Sequence, residues 1–289
     1  MKKYYYIGTD IGGTTFTSAL YDHERNQIIK SEKEYISNYS STLNLINGIS
    51  NQINDITQNN LIAGIGLSCP GPLNSKKGLI LHTPNLKFLR NCNIKNEIER
   101  RLNIPCKIEN DANLFALGEN FHYDIRDKVY LGITLGTGLG FGIVINGKLF
   151  TGGNGMAAEY GISPFNNSNW ESFCSINWIE SQVKDILGLN IDPERLNILA
   201  TNGDVKAIKI WNKFGENLGM CLTHVVNMID PNFISIGGGL SSAFILFKHS
   251  LEKILSTNCP SYNEHNIQIM ESRLKEDAAM LGATLLFND

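Results

Sequence analysis

Two glycine-rich stretches decide the fold class of this chain, Asp10-Ile-Gly-Gly-Thr-Thr15 and Leu135-Gly-Thr-Gly-Leu-Gly-Phe-Gly142. Each follows an apolar run typical of a strand, and each precedes a second strand-like run rather than a helix. A dinucleotide-binding site or a P-loop needs a helix directly after the glycines, because the helix N-terminus then meets the phosphate. Both stretches are therefore predicted to be the tips of β-hairpins.

Glycine hairpin tips can bind phosphate, because consecutive backbone N–H groups without side chains form a concave anion site. The candidate ligands in the two tips are Gly12, Gly13, Thr14, Thr15, Gly136, Thr137 and Gly138. Such turns are also common connectors, so a purely structural role stays open for either tip taken alone. Two tips in one chain, with the acidic Asp10 beside the first, favour a clamp on a polyphosphate.

The composition points to a globular protein with small-molecule partners. The chain has 289 residues, of which 42% are hydrophobic and 18% charged, and its formal net charge is -3. No basic run exceeds Arg100-Arg101 or Lys76-Lys77, so the footprint of a nucleic-acid-binding protein is absent. No apolar stretch reaches the roughly twenty residues that span a bilayer, and the first glycine stretch follows Met1 too closely for a signal peptide. We therefore expect a cytoplasmic protein that binds neither nucleic acid nor membrane.

The order of the predicted elements repeats along the chain. Strands are indicated at 4–9, 16–21, 27–34, 63–68, 106–109, 129–135, 140–145, 148–150, 233–236 and 267–270. Helices are indicated by apolar residues spaced three and four apart within 43–56, 94–102, 112–121, 178–187, 205–229 and 277–287. We predict a duplicated α/β fold, in which each half is a mixed sheet flanked by helices and the site lies in the cleft between the halves.

Five further motifs identify a family. They are Cys69-Pro-Gly-Pro72, Thr83-Pro-Asn-Leu86, Glu109-Asn-Asp-Ala-Asn113, Gly152-Gly-Asn-Gly-Met-Ala-Ala-Glu-Tyr-Gly161 and Ile236-Gly-Gly-Gly-Leu240. With the two glycine stretches, they occur in the order and spacing of the ROK family (repressor, open reading frame, kinase), which the chain resembles over almost its whole length. The resemblance implies the actin-like ATPase fold of sugar kinases and Hsp70 proteins. It also implies an N-terminal domain, 1–111, completed by the C-terminal helix 275–289, and a larger C-terminal domain, 112–274.

Asp10 and Asp111 are the candidate carboxylates for phosphoryl transfer, which needs a phosphate cradle, a carboxylate near the metal and an in-line base. Asp10 stands beside the first glycine stretch, where it can orient Mg²⁺ through water or, alternatively, cap the turn by an Asx hydrogen bond. Asp111 precedes an apolar helix, which also makes it an N-cap candidate. Both roles are compatible, because a carboxylate at a helix N-terminus stays ionised and fixed. The resemblance assigns the catalytic base to Asp111.

The remaining site residues follow from the resemblance. The sugar is expected to contact Gly71, Asn85, Asn110, Asp111, Glu159 and Glu171. ATP is expected to approach the backbone at Gly238 and Gly239, although these glycines also suit an ordinary strand-to-helix turn. Simpler roles exist for Glu159, as a solvated loop acid, and for Glu171, as a helix-start residue with Glu180 as its substitute.

One segment departs from the family. Most ROK proteins follow Glu-x-Gly with a histidine and a cysteine-rich segment that together bind a structural zinc ion. Here Glu159-Tyr-Gly161 is followed by Ile162, and residues 163–169 contain no cysteine. Zinc needs about four such ligands, so we expect none. We predict that aromatic packing holds the loop instead, and the available residues are Phe165, Trp170 and Phe173.

The resemblance implies an ATP- and Mg²⁺-dependent kinase acting on the 6-hydroxyl of a hexose or N-acetylhexosamine. The chain is most similar to the zinc-less N-acetylmannosamine kinases of bacterial sialic-acid catabolism, with allose or glucose as alternative substrates. A non-catalytic sugar-binding regulator is an alternative of another class; a repressor would need an N-terminal helix-turn-helix, whereas this chain begins at its first strand. Because Ile162 cannot hydrogen-bond, we hypothesise that it borders an apolar group such as an N-acetyl methyl. A homodimer is expected.

Overall fold

The computed structural model describes residues 4–81, 83, 86–125 and 127–288. The chain forms two compact units. The first unit comprises Met1–Asp124, Leu149–Ala157 and Glu276–Asp289, and the second comprises Ile125–Lys148 and Ala158–Lys275. The first unit therefore continues past residue 111, because the helix that begins there packs against the C-terminal helix.

The strands and helices are numbered in chain order. The strands are β1 (Tyr5–Ile11), β2 (Thr15–Asp22), β3 (Gln27–Tyr35), β4 (Ile62–Cys69), β5 (Leu73–Asn74), β6 (Leu79–Ile80), β7 (Cys106–Asn110), β8 (Val129–Leu135), β9 (Leu139–Ile145), β10 (Lys148–Leu149), β11 (Pro164–Phe165), β12 (Ser168–Asn169), β13 (Phe233–Gly237) and β14 (Gln268–Glu271). The helices are α1 (Thr42–Thr57), α2 (Ile94–Leu102), α3 (Asp111–His122), α4 (Ile176–Leu187), α5 (Pro193–Thr201), α6 (Val205–Ile229), α7 (Phe244–Asn258), α8 (Pro260–His265) and α9 (Asp277–Leu285).

The two large sheets have the same strand order. The first runs β3-β2-β1-β4-β7, and the second runs β10-β9-β8-β13-β14. In each sheet the central strand pairs antiparallel with the strand that follows it in sequence and parallel with its other neighbour. This repeated topology confirms the predicted duplication of a mixed α/β sheet.

Both glycine stretches form hairpin tips, as predicted. In the first, Ile11 pairs with Phe16 across the β1-β2 turn. In the second, Leu135 pairs with Leu139 across the β8-β9 turn. A third hairpin turn follows β9 at Asn146-Gly147, where φ is 51° and 73°. A type I′ turn requires positive φ at both of its central residues, which Asn-Gly tolerates best.

The apolar residues that recur along the predicted helices form one hydrophobic core against each large sheet. In the first unit α1 and α2 cover one face of the sheet. Helix α1 begins after Ser41, whose side chain accepts a hydrogen bond from Asn44 N–H. The fully buried residues of α1 are Leu45, Ile49, Ile53 and Ile56. In the second unit α6 and α7 pack together around Trp211, Phe214 and Phe247.

The helix α6 is the longest, with 25 residues, and it is amphipathic rather than uniformly apolar. It begins at Asp204, whose side chain accepts a hydrogen bond from Ala207 N–H at 2.9 Å. Within 4–81, 83, 86–125 and 127–288, no helix combines the length and apolar character that crossing a bilayer would require.

On the opposite face of the first sheet, the backbone of α9 is seated directly on two glycine residues. Gly8 and Gly66 are paired neighbours on β1 and β4. A Cβ at Gly8 would lie 2.2 Å from the carbonyl oxygen of Met280, and one at Gly66 would lie 1.9 Å from that of Ala283. The α9 backbone thus rests directly on the strands, at a distance that no side chain allows.

We expect Gly66→Ala to lower the free energy of unfolding by about 3 kcal/mol, because the added methyl can be accommodated only by moving the α9 backbone. Gly153→Ala is the matched control, since a Cβ at Gly153 meets nothing within 4 Å. Urea unfolding followed by circular dichroism measures both variants. Equal unfolding midpoints for the two would show that α9 is not seated on Gly66.

Candidate functional site

Three parallel strands of the first unit end in a row of polar side chains. Asp10 on β1 pairs with Ser68 on β4, and Ser68 pairs with Glu109 on β7. Residues opposite one another on paired strands project from the same face of the sheet. The next two residues after Glu109 are Asn110 and Asp111, so the candidate carboxylates meet at one edge of this sheet.

Asp10 is partly buried and carries a raised pKa. The hydroxyl of Ser68 donates to Asp10 Oδ1 at 2.5 Å. Burial raises the pKa of Asp10 to about 6, with further contributions from the charges of Asp111 and Glu276. The turn closes on its own backbone, since Gly12 N–H donates to Thr15 C=O at 2.9 Å. Among the residues that the structure describes, no turn amide donates to Asp10, so an Asx cap is not its role in this conformation.

The hydrogen bonds at the N-terminus of α3 distinguish between the two roles considered for Asp111, helix cap and catalytic base. Asn110 is the N-cap, and its Oδ1 accepts from Ala112 N–H at 2.9 Å and from Asn113 N–H at 3.2 Å. Asp111 is the first helical residue, and its Oδ1 accepts from Ala112 N–H at 2.8 Å. Burial raises the pKa of Asp111, while the backbone N–H groups of the helix start lower it. The helix does not need Asp111 as its cap.

Two further groups support this edge and were missed in the sequence. Glu109 is buried, and its Oε1 accepts from Asn110 N–H at 2.8 Å and from the Asn113 side-chain amide at 3.2 Å. Cys69 is fully buried, and burial raises the pKa of its thiol, with the charges of Asp111 and Asp10 adding to the effect. The contact of Glu109 could have been predicted from the sequence, because Glu109 and Asn113 are four residues apart across a helix start.

The other predicted residues of the first unit lie near the same strand ends. Gly12 is partly buried in the β1-β2 turn, and Gly13 and Thr14 are exposed there. Thr15 begins β2. Gly71 follows β4, and the peptide bond between Gly71 and Pro72 is cis. Asn85 lies outside the described residues.

A carboxylate from a distant segment is hydrogen-bonded at the second glycine tip. Glu171 Oε2 accepts from Leu139 N–H at 3.1 Å. A Cβ at Gly138 would lie 2.6 Å from the same oxygen, so a side chain there would displace the Glu171 carboxylate from this position. The loop also joins the start of α4, because Ile176 N–H donates to Gly136 C=O at 2.8 Å. Glu171, which the resemblance placed at the sugar, therefore contacts the predicted phosphate loop in this conformation.

A pocket of about 210 Å³ opens beside this loop in the second unit. Its lining is mostly polar and consists of Thr137, Glu171, Ser172, Ser175, Asn177, Trp178 and Ser181. Hydroxyl and amide groups around a carboxylate suit a neutral polar ligand better than an isolated anion. Glu180, the substitute considered for Glu171, is exposed on α4 and is not part of this lining.

The loop that leaves the family pattern is tightly packed. A short 3₁₀ helix, Glu159–Ile162, lies against β9, since a Cβ at Gly161 would come within 2.1 Å of the Leu139 carbonyl oxygen. Glu159 is exposed on this helix, and Ile162 exposes 61% of its surface. The Ile162 side chain is therefore accessible at the surface, and the packing of Gly161 against β9 fixes its position.

The predicted aromatic packing is present in this loop. Phe165 stacks on Trp170 with ring centroids 3.6 Å apart and planes 12° from parallel. Phe173 meets Phe165 edge-on at 5.1 Å. His224 on α6 contacts Trp170 at 5.8 Å between ring centroids. These contacts tie the segment 165–173 to α6.

Gly238 and Gly239 lie in the turn between β13 and the helical segment that leads into α7. Gly238 has φ 82°, and a Cβ there would lie 2.4 Å from the Leu135 carbonyl oxygen. A Cβ at Gly239 would meet only the Ile176 side chain, at 3.9 Å. Glycine is thus structurally required at Gly238, whereas Gly239 leaves open backbone next to α4.

The carboxylate at the first glycine turn is compatible with a magnesium ion held through water. Within the part of the chain that the structure describes, no three His, Cys, Asp or Glu side chains are grouped to hold a metal directly. Mg²⁺ usually keeps several waters and is bound by one or two carboxylates together with substrate phosphates. Asp10, a partly buried carboxylate whose pKa a nearby cation would lower, meets that requirement.

The chain is similar to known proteins over nearly its whole length. The model of the ROK family matches residues 6–289. An N-acetyl-D-glucosamine kinase from Photobacterium profundum is 29% identical over 273 residues, covering 86% of this chain and 88% of that protein. A ROK family glucokinase from Streptomyces griseus, solved with glucose and AMPPNP, is 25% identical with a TM-score of 0.82 over 98% of both chains. A protein from Listeria monocytogenes, provisionally assigned as an N-acetylmannosamine kinase, is 26% identical with a TM-score of 0.81 over 99% of this chain and 98% of that one.

We expect Asp10→Asn to stabilise the protein in the absence of nucleotide and divalent cation. The folded-state pKa of about 6 lies above the ordinary value of 3.8, so ionising Asp10 costs folding free energy as the pH rises between these values. The gain should reach about 3 kcal/mol well above pH 6 and shrink as the pH falls towards 4. Thermal unfolding at several pH values measures it. A loss of stability at pH 7.5 would instead give Asp10 a structural role.

Proposed function

This chain belongs to the ROK family, whose model matches residues 6–289, and on that premise we propose that it transfers the γ-phosphoryl group of ATP to the 6-hydroxyl of a hexose or N-acetylhexosamine. The observation that supports this most is the meeting of Asp10 and Asp111 at one edge of the first sheet, beside a glycine hairpin. Related sugar kinases and a neighbour solved with AMPPNP agree with a nucleotide-dependent transfer.

In the proposed reaction Asp111 is the general base. Its carboxylate accepts the proton of the sugar 6-hydroxyl as that oxygen bonds to the γ-phosphorus of ATP, and the bond from phosphorus to the β,γ-bridging oxygen breaks to release ADP. Asn110 fixes the helix start, and Glu109 holds Asn110 N–H and the Asn113 amide, so Asp111 is kept in place. Its pKa, raised by burial, makes it a better proton acceptor than an exposed aspartate.

The other ligands of this proposal are assigned residue by residue. Mg²⁺, bound through water near Asp10, would neutralise charge on the phosphates. The phosphates are assigned to Gly12, Gly13, Thr14, Thr15, Gly136, Thr137 and Gly138, and the adenosine to Gly238 and Gly239. The sugar is assigned to Gly71, Asn85, Asn110, Asp111, Glu159 and Glu171. For the sugar role, the Glu171 carboxylate must share or leave its hydrogen bond with Leu139 N–H.

The substrate proposed within this class is N-acetylmannosamine, with allose or glucose as the alternative. The similarity to the Listeria protein supports this choice. Ile162, exposed next to Glu159, offers an apolar surface at the position where the family pattern has a hydrogen-bonding histidine. An N-acetyl methyl can be buried against such a side chain, whereas a bare hydroxyl gains nothing from it.

We expect ADP release with at least one of N-acetylmannosamine, N-acetylglucosamine, glucose, mannose and allose, and a loss of at least about a hundredfold in kcat for Asp111→Asn. An amide cannot accept the hydroxyl proton, and Asn110 keeps the helix cap intact in the variant. Asp55→Asn, an exposed change on α1, is the control and should keep full activity.

No ADP release by the parent protein with any of the five sugars would refute the kinase proposal and favour the non-catalytic sugar-binding regulator. Undiminished turnover in Asp111→Asn would refute the assignment of the base alone.

We expect Ile162→His to reduce the preference for N-acetylated over plain hexoses by about tenfold in kcat/KM, because the apolar contact is replaced by a polar ring. Ile198→His is the matched control, since Ile198 is a similarly exposed isoleucine on α5. The kcat/KM values for N-acetylmannosamine and mannose are compared in the parent and both variants. An unchanged ratio in Ile162→His would contradict the apolar contact.

A further inference from the structure

A row of paired residues crosses the first sheet at the level of Asp10. Asp10 pairs with Thr17 on β2, and Thr17 pairs with Lys33 on β3. On the other side, Asp10 pairs with Ser68. These pairings put the side chains of the row on one face of the sheet. Lys33 therefore shares its face with Asp10, two strands away.

Lys33 is also close to the first glycine turn. Thr15, the last residue of that turn, pairs with Tyr35, two positions along β3 from Lys33. Two residues of a strand span about 7 Å, a distance comparable to the length of an extended lysine side chain. The ammonium group can thus reach the space beside the turn without any movement of the backbone.

The charges around this turn are otherwise mainly negative. Asp10 interacts electrostatically with Asp111 and Glu276, which raise its pKa, and with Lys33, which lowers it. A polyphosphate has to enter this field, and the backbone N–H and threonine hydroxyl donors of the turn carry no net charge. A cation on the protein would offset that repulsion.

The present partner of Lys33 holds it loosely. Lys33 Nζ lies 3.4 Å from Glu276 Oε2, and the two side chains expose 52% and 88% of their surfaces. Exposed ion pairs of this kind contribute little to stability. The ammonium group can therefore exchange Glu276 for a phosphate oxygen at small cost.

We propose that Lys33 is a nucleotide-binding residue, whose ammonium group contacts the phosphate chain of ATP at the turn Gly12–Thr15. The inference rests on the proposed function for the identity of the nucleotide. Lysine binds phosphate as a mobile point charge, which suits a side chain reaching the turn from a neighbouring strand. Nothing in the glycine motif of the sequence points to a residue so far along the chain; the strand register does.

Lys33→Met should raise both the Kd of ATP, measured by isothermal titration calorimetry without sugar, and the KM for ATP by about tenfold. The KM for the sugar should not change, and Lys33→Arg should keep most of the ATP affinity. Lys30→Met is the matched control on the same strand. Lys30 also forms an exposed ion pair, with Glu32 at 2.6 Å, but projects from the opposite face, so its removal should leave ATP binding unchanged.

Glu276→Gln separates binding from a structural role, because it removes the partner of Lys33 and leaves the ammonium group. It should leave ATP affinity unchanged or increase it. Equal ATP affinity in Lys33→Met and Lys30→Met, or a loss in Glu276→Gln as large as in Lys33→Met, would overturn the inference and leave the proposed function standing. ATP binding without turnover of any sugar would refute the proposed function alone, since calorimetry still tests Lys33. A parent protein that binds no ATP would overturn both.

Discussion

The close contact of the α9 backbone with Gly8 and Gly66 sets the position of the candidate site in the first unit. Both glycines lie two residues before the polar ends of their strands, at Asp10 and Ser68. Because side chains two apart in a strand share a face, Asp10 and Ser68 project from the face on which α9 rests. Larger residues at the glycines would lift the helix and change the surroundings of Asp10, to which Glu276 contributes charge.

The two candidate carboxylates at this edge of the sheet lower the stability of the fold. Burial raises the pKa values of both Asp10 and Asp111, so keeping the two carboxylates ionised at neutral pH opposes folding. The compensation comes from elsewhere in the molecule, chiefly from the continuous apolar cores behind each sheet. A residue that costs stability and carries no structural hydrogen bond of its turn is best explained by what it binds.

Local patterns in the sequence predicted most of the fold, because hairpin turns and amphipathic helices depend on neighbouring residues. The helices α5 and α7 were missed although signals existed: Asp192-Pro193 caps α5, and the buried residues of α7 recur at spacings of three and four. The seat of α9 was not predictable, since it depends on the register between β1 and β4 and on a helix more than 200 residues away. Register likewise placed Lys33, and tertiary packing placed Glu171 on the second glycine loop.

The loop at 159–173 shows how structure and recognition can be separated within one segment. Stacking of Phe165 on Trp170, with Phe173 against the pair, ties the C-terminal part of the loop to α6. Gly161, packed against β9, fixes the N-terminal part. Ile162 is left exposed between these two anchors. A change at position 162 therefore alters the exposed surface of the loop and leaves the packing that holds the loop intact.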